Sequence, residues 1–142
     1  MAHLKTFIIV VLAVSFVLVC YEWYNKGRNA KYIAAARVIN GLVASTAVKS
    51  QVSEFYIETG KFPSSNNELH LPDSIQFANQ SLIGLSVSAG GVITLTFDIE
   101  SGVKNGTIQL VPDVSNQITG IKWQCITNSY PDIEQCKYNK SF

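Results

Sequence analysis

Residues 120–136 read Gly-Ile-Lys-Trp-Gln-Cys-Ile-Thr-Asn-Ser-Tyr-Pro-Asp-Ile-Glu-Gln-Cys. This stretch is the most informative part of the sequence about the fold. The stretch from Ile118 to Ile126 has the composition of a β-strand, and Cys125 lies at its end. The residues that follow are of turn-forming types, and Cys136 closes the stretch. Two cysteines in this arrangement can form a disulfide, which would contribute about 3 kcal/mol and implies an oxidising compartment.

The sequence leaves one alternative open for these cysteines and argues against another. Two free thiols in a reducing cytosol remain an alternative. A zinc site lacks ligands, because the only histidines, His3 and His70, lie far apart and no Cys-x-x-Cys motif is present. We therefore predict a disulfide, no metal and no cofactor.

Upstream of the cysteines the sequence predicts an antiparallel sheet. Gly90-Gly91 and Asn105-Gly106 are turn signals between runs of β-forming residues, and the second is a favoured hairpin dipeptide. With the last run before Cys125, this pattern predicts a four-stranded antiparallel meander. The predicted strands are Leu82 to Ser88, Val92 to Ile99, Thr107 to Val111 and Ile118 to Ile126.

A long helix precedes the sheet. Ala30 to Thr59 contains no proline and one glycine, Gly41, and Gly60 is suited to end the helix as a C-cap. Apolar residues recur at helical spacing on one face, which the sheet would cover. The predicted fold is therefore α+β, with a long N-terminal helix packed on the sheet. The residues of the apolar face are Val38, Leu42, Val48, Val52, Phe55 and Tyr56.

The N-terminal segment predicts one membrane-spanning helix. No charge occurs between Lys5 and Glu22, a length of about 25 Å as helix, and Trp23 and Tyr24 follow where interfacial aromatic residues are expected. We predict an anchor over residues 1–29 and a globular head over residues 30–142. A cleavable signal peptide and lipidation of the cysteine at position 20 are the alternatives. The residues expected in the membrane helix are Phe7, Ile8, Ile9, Val10, Val11, Leu12, Phe16 and Leu18.

Composition and motifs argue against several function classes. The chain has 142 residues, with eleven basic and ten acidic residues and a formal net charge of +1. No basic stripe suits nucleic acid as a main partner. The carboxylates are not paired with a histidine or nucleophile at a recognisable spacing, and no glycine-rich phosphate loop is present. We therefore predict no catalytic residues and no small-molecule substrate.

The order of these segments resembles the type IV pilins and their pseudopilin relatives. The similarity covers about Ala30 to Cys136 and includes Gly60-Lys61-Phe62-Pro63 and Leu110-Val111-Pro112. Its most specific part is the Gly-x-Ile-x-Trp-x-Cys…Cys ending that starts at Gly120. The resemblance implies a pilin roll, in which the disulfide loop and the loop from about Pro63 to Ser81 form exposed flanks.

The resemblance also implies a location and partners. One implied location is the bacterial inner membrane, with a single helix in the membrane and the head in the periplasm. The other is extracellular, in a pilus. Expected partners are other pilin subunits or pilus assembly proteins, with roles in pilus assembly and adhesion. The usual prepilin Gly-Phe-Thr-Leu-Ile-Glu motif is absent from this sequence, whose first glycine is Gly27, and this favours an uncleaved accessory subunit. The resemblance of the C-terminal ending to that of major pilins favours a filament subunit instead, so both versions stay open.

A second functional hypothesis is a membrane-anchored surface binding module whose pilin-like head recognises a pilin, a phage or a glycan. Such a module needs exposed aromatic or polar residues. Three residues in and after the disulfide loop are candidates for this surface contact: Tyr130, Asp132 and Tyr138.

Overall fold

Two helices separated by one residue form the N-terminal part of the computed structural model, which describes residues 2–77, 82–115 and 120–141. Helix α1 spans Ala2–Ala44 and helix α2 spans Thr46–Thr59. At Ser45 the backbone stays right-handed helical, with its N–H donating to the Gly41 carbonyl oxygen at 3.1 Å and its carbonyl oxygen accepting from the Lys49 N–H at 2.9 Å. The Ser45 hydroxyl also donates to the Leu42 carbonyl oxygen at 2.6 Å, a side-chain bond that perturbs helices locally. The predicted long helix is therefore present, with a local irregularity at Ser45.

Gly60 ends α2 as the sequence predicts. Its φ of 69° is left-handed, and its N–H donates to the Tyr56 carbonyl oxygen at 2.9 Å. Glycine takes this conformation without the steric cost of a Cβ atom. The chain then leaves the helix axis at Gly60.

The chain forms two compact units, Met1–Ile33 and Ala34–Phe142. In the first unit the apolar side chains from position 7 onward are exposed, including Phe7 at 67%. Within the described residues there is one helix long and apolar enough to cross a membrane, with a mean hydropathy of 2.2 over its most apolar window. The predicted boundary between anchor and head at residue 29 stays a prediction.

The sheet has five strands in the order β1-β2-β3-β4-β5. The first four are antiparallel, and β5 pairs parallel to β4. The prediction of four strands was therefore one strand short, because the disulfide brings the short β5 beside β4. The strands are β1 Leu82–Ser88, β2 Val92–Phe97, β3 Gly106–Asp113, β4 Lys122–Thr127 and β5 Lys137–Tyr138.

Two details of the predicted sheet differ from the structure. The β4 strand begins at Lys122 rather than at Ile118, which lies outside the described residues. Asn105-Gly106 is not a two-residue hairpin, because the β2–β3 connection runs from Asp98 to Asn105 and includes a short 3-10 turn. Arg37 of α1 forms an ion pair with Glu100 of this connection.

The core lies between the helices and one face of the sheet. On the helices the buried residues follow a three-four spacing, Val38, Gly41, Ser45, Val48 and Val52. In β2 they alternate, as expected of a strand with one buried face. The buried apolar residues of the sheet are Leu82, Leu85, Val87, Ile93, Leu95, Phe97, Ile108 and Leu110.

Close contact between α1 and the sheet depends on Gly41. A Cβ atom at this position would lie 2.5 Å from Cε1 of Phe97, and Phe97 is fully buried. The ring therefore occupies the space that any larger residue at Gly41 would need. Because neighbouring atoms fill the core, this ring has no free space into which to move.

We expect Gly41→Ala to destabilise the head. The overpacking costs about 1–3 kcal/mol, which should exceed the gain in helix propensity of about 1 kcal/mol. Urea unfolding of the full chain, followed by circular dichroism, measures the difference. Gly27→Ala in the same helix is the matched control, because nothing lies within 4 Å of a Cβ atom there. A Gly41→Ala variant as stable as the wild type would contradict the packing argument.

The edge of the sheet at β1 is covered by the side chain of Asn66. Its Oδ1 accepts from the Val87 N–H at 2.6 Å, and its Nδ2 donates to the carbonyl oxygens of Pro72 at 3.0 Å and Leu85 at 3.4 Å. The amide thus takes the place of a neighbouring strand. Pairing of this edge with another chain is thereby hindered.

We expect Asn66→Ala to destabilise the head by about 1–3 kcal/mol, because it leaves the part-buried N–H of Val87 without its partner. Asn67→Ala is the control: Asn67 is exposed, and surface substitutions usually stay within about 0.5 kcal/mol. Chemical unfolding of both variants gives the comparison. Equal stability of the two would show that the amide does not stabilise the edge.

Candidate assembly surfaces

The disulfide loop is the first candidate surface. Cys125 at β4 is bonded to Cys136, with their Cα atoms 4.4 Å apart. Because Cys136 lies beside Cys125, the next residue pairs with the strand, and Lys137 is in register with Ile126. The predicted pairing of these two cysteines is present in the structure.

The inner side of the loop packs into the head. Tyr130, Ile133 and Cys136 are buried, and the Tyr130 ring meets the Phe97 ring edge-on with centroids 5.8 Å apart. The Tyr130 hydroxyl lies 2.6 Å from Oγ of Ser101. A Cβ atom at Gly106 would lie 2.2 Å from the same hydroxyl, so only glycine fits beneath the ring.

The position of Tyr130 does not support its predicted role as a surface contact, because only 6% of the residue is exposed. Burial raises the pKa of Tyr130. The hydrogen bond with Ser101 partly offsets this rise, and the negative charge of Asp98 adds to it. Tyr130 instead anchors the loop.

Thr127 fixes the first turn of the loop. It is fully buried, and its hydroxyl donates to the Thr107 carbonyl oxygen at 2.8 Å. The Thr127 hydroxyl oxygen itself accepts from the N–H groups of Ser129 at 3.1 Å and Tyr130 at 3.2 Å. At the other end of the loop, the Asn139 N–H donates to the Thr127 carbonyl oxygen at 2.8 Å. These bonds tie both ends of the loop to Thr127.

The outer side of the loop is polar. Asp132 and Glu134 are exposed, and Tyr138 in β5 is 42% exposed. Asp132 and Tyr138 therefore lie where a partner could reach them. Their role as contacts stays a prediction.

The second candidate surface is an apolar groove of about 330 Å³ between the helices and β4. Val43 of α1 is 66% exposed on this groove, although it is an apolar residue. Burial of such a side chain by a partner lowers the free energy of the complex. The apolar part of the groove is edged by Thr46, Lys49 and Gln135, and its other lining residues are Ile39, Leu42, Val43, Leu110, Trp123 and Cys125.

In the described ranges, no group of three or more His, Cys, Asp or Glu residues lies close enough to hold a metal ion.

The head matches the model of the pilin family, described as a bacterial filament protein, over residues 34–139. This chain is a member of the pilin family. A comparison with curated proteins gave no match. The family match, the disulfide and the helix-on-sheet fold confirm the resemblance that the Trp-x-Cys…Cys ending indicated.

Several structurally important residues of this pilin were not evident from the sequence. Gly41 and Asn66 make contacts with residues far away in the chain, and Tyr130 was assigned to the wrong side of its loop. One local signal existed for Gly41, since it is a lone glycine on the apolar stripe of a helix. A glycine in that position costs helix stability unless packing requires it.

Proposed function

We propose that this pilin is an accessory subunit of a type IV pilus system, held in the inner membrane by α1 with its head outside the cytoplasm. It would act as a structural and interaction protein rather than as an enzyme. Its partners would be other pilin subunits or pilus assembly proteins. Its contribution would be to pilus assembly and adhesion.

The observation that carries this proposal is an uncharged helical segment joined in one chain to a disulfide-closed pilin head. No charged residue occurs from Thr6 to Tyr21. Such a segment favours a membrane over water, and the disulfide favours an oxidising compartment. Because the segment also lacks a carboxylate, it cannot form a charge pair inside the apolar core of a filament, which favours the accessory role.

The apolar groove is the surface that we assign to subunit contact. Its exposed apolar residues Ile39 and Val43 line the same recess as Trp123. Aromatic residues in partly desolvated recesses contribute strongly to protein interfaces. A second pilin subunit could cover this groove without disturbing the head's own core.

Cell fractionation tests the proposed role. Intact mass is measured, with and without reduction, for the protein from membranes and from sheared surface filaments of cells that produce it. We expect the protein in the membrane fraction, with the Cys125–Cys136 bond intact. Recovery mainly from filaments would make the chain a filament subunit instead, and free thiols in either fraction would contradict the extracytoplasmic location.

A charge in the groove tests the contact surface. We expect Val43→Glu to reduce cross-linking between the full chain and co-expressed pilin subunits about ten-fold, because the carboxylate would have to lose water on binding. Ala47→Glu is the control, since position 47 is exposed on α2. Equal cross-linking by the two variants would remove the groove from the contact surface.

The surface binding module remains the second candidate function. It is supported by the exposed polar side of the disulfide loop, where Asp132 and Tyr138 lie on a loop fixed from within. A rigid loop loses little conformational entropy on binding. Two results together would favour this function over the accessory role. The chain would stay in the membranes of cells that produce it, and pilus assembly would be unchanged in cells that lack it.

A further inference from the structure

Two aromatic and then three cationic side chains follow on α1 just beyond its uncharged segment. We call Trp23, Tyr24, Lys26, Arg28 and Lys31 the cationic collar. All five are exposed, Trp23 to 84%. After Glu22, the next acidic residue in the sequence is Glu54. The collar therefore has three positive charges and follows the segment that would lie in the membrane.

A recess lies in the middle of the collar. Nothing lies within 4 Å of where a Cβ atom of Gly27 would be. The open space at this glycine measures about 660 Å³, and its walls combine apolar rings with cationic groups. It is lined by Trp23, Tyr24, Lys26, Gly27, Arg28 and Lys31.

The guanidinium of Arg28 is positioned rather than neutralised. It lies 5.2 Å from the centroid of the Tyr24 ring and donates to Oδ1 of Asn25 at 3.1 Å. In the described residues the one ion pair joins Arg37 to Glu100, so no carboxylate pairs with the three cations of the collar. Arg28 keeps donors that can bind a phosphate oxygen.

We propose that the cationic collar binds the headgroup phosphates of anionic phospholipids at the membrane surface from which α1 emerges. The inference rests on the proposed membrane anchoring. Aromatic rings such as Trp23 favour the headgroup region, and Lys and Arg attract anionic lipid there. Each cation close to the surface is expected to raise the preference for anionic over zwitterionic lipid about five-fold. The recess at Gly27 gives one headgroup room to reach Arg28 and Lys31.

Native mass spectrometry of the full chain in mild detergent tests the collar. The probes are phosphatidylglycerol and phosphatidylcholine at equal concentration, and the readout is the ratio of the two lipids retained. We expect the wild type to retain phosphatidylglycerol at least about ten-fold better. The variant Lys26→Gln/Arg28→Gln/Lys31→Gln should lose this preference. The matched control is Lys61→Gln/Lys104→Gln/Lys140→Gln, which removes the same charge from exposed positions of the head.

The outcomes separate this inference from the anchoring on which it rests. Flotation of the full chain with pure phosphatidylcholine vesicles tests anchoring alone. A chain that floats but retains both lipids equally would overturn the lipid inference. The three cations would then be assigned to the binding of an acidic partner protein. An equal loss in the control variant would also overturn it, because the effect would then follow net charge.

Filling the recess gives a test without a change of charge. Gly27→Leu improves helix propensity and places a side chain in the recess. We expect it to lower phosphatidylglycerol retention at least about two-fold, by steric exclusion of the headgroup. Unchanged retention would contradict the role of the recess.

Discussion

Tyr130→Ala is expected to destabilise the head by about 3–5 kcal/mol, the usual range for removal of a large buried aromatic side chain. Its ring packs against Phe97, and its hydroxyl is bonded to Ser101. The substitution leaves a cavity above Gly106 and frees the loop from the core. Denaturant unfolding of the full chain measures the loss.

Two variants make this result specific. Tyr138→Ala removes a tyrosine from the exposed side, so we expect a change within about 0.5 kcal/mol. Tyr130→Phe keeps the ring and loses only the hydroxyl bond, at a cost of about 1 kcal/mol. If Tyr130→Ala were as mild as Tyr138→Ala, the ring would not anchor the loop.

Tyr130→Phe also gives a pH dependence with a known sign. The pKa of Tyr130 is raised in the folded protein, so the unfolded chain ionises first as the pH rises. The advantage of the wild type over Tyr130→Phe should therefore be complete below about pH 10, the ordinary tyrosine value, and decline above it. A constant difference across this range would contradict the burial of the phenol.

The sequence predicted those features of the head that depend on local pattern. Runs of β-forming residues on either side of Gly90-Gly91 indicated β1 and β2, and Gly60 indicated the end of the helix. The cysteine spacing and the neighbouring Trp123 indicated a closed loop at the end of the sheet. Each of these signals lies within one element or its immediate neighbours, so a single sequence contains it.

Features set by distant contacts could not be predicted in this way. Tyr130 is buried because Gly106 and Ser101 leave space for its ring and supply a partner for its hydroxyl. The irregularity at Ser45 goes with a bond from its hydroxyl to the Leu42 carbonyl oxygen, which composition does not reveal. Composition alone describes a tyrosine in a polar loop as a surface residue, and only the fold reverses that assignment.

Replacing both cysteines by serine should cost the head about 3 kcal/mol, because the reduced unfolded chain gains the conformational freedom of the open loop. In the folded state, β5 would also lose the restraint that keeps Lys137 beside Ile126. Denaturant unfolding of Cys125→Ser/Cys136→Ser measures the cost. Cys20→Ser is the control, since Cys20 is exposed and not bonded.

Combining the cysteine and tyrosine variants shows how the loop is held. Tyr130 restrains the loop through the folded core, whereas the disulfide acts mainly on the unfolded chain. If the two restraints were independent, their costs would add within about 0.5 kcal/mol. We expect a smaller sum, because a loop released from its disulfide already holds the Tyr130 ring less firmly against Phe97. Strict additivity would mean that Tyr130 and the bonds of Thr127 fix the loop without the disulfide, and the outer surface of Asp132 and Tyr138 would then survive reduction.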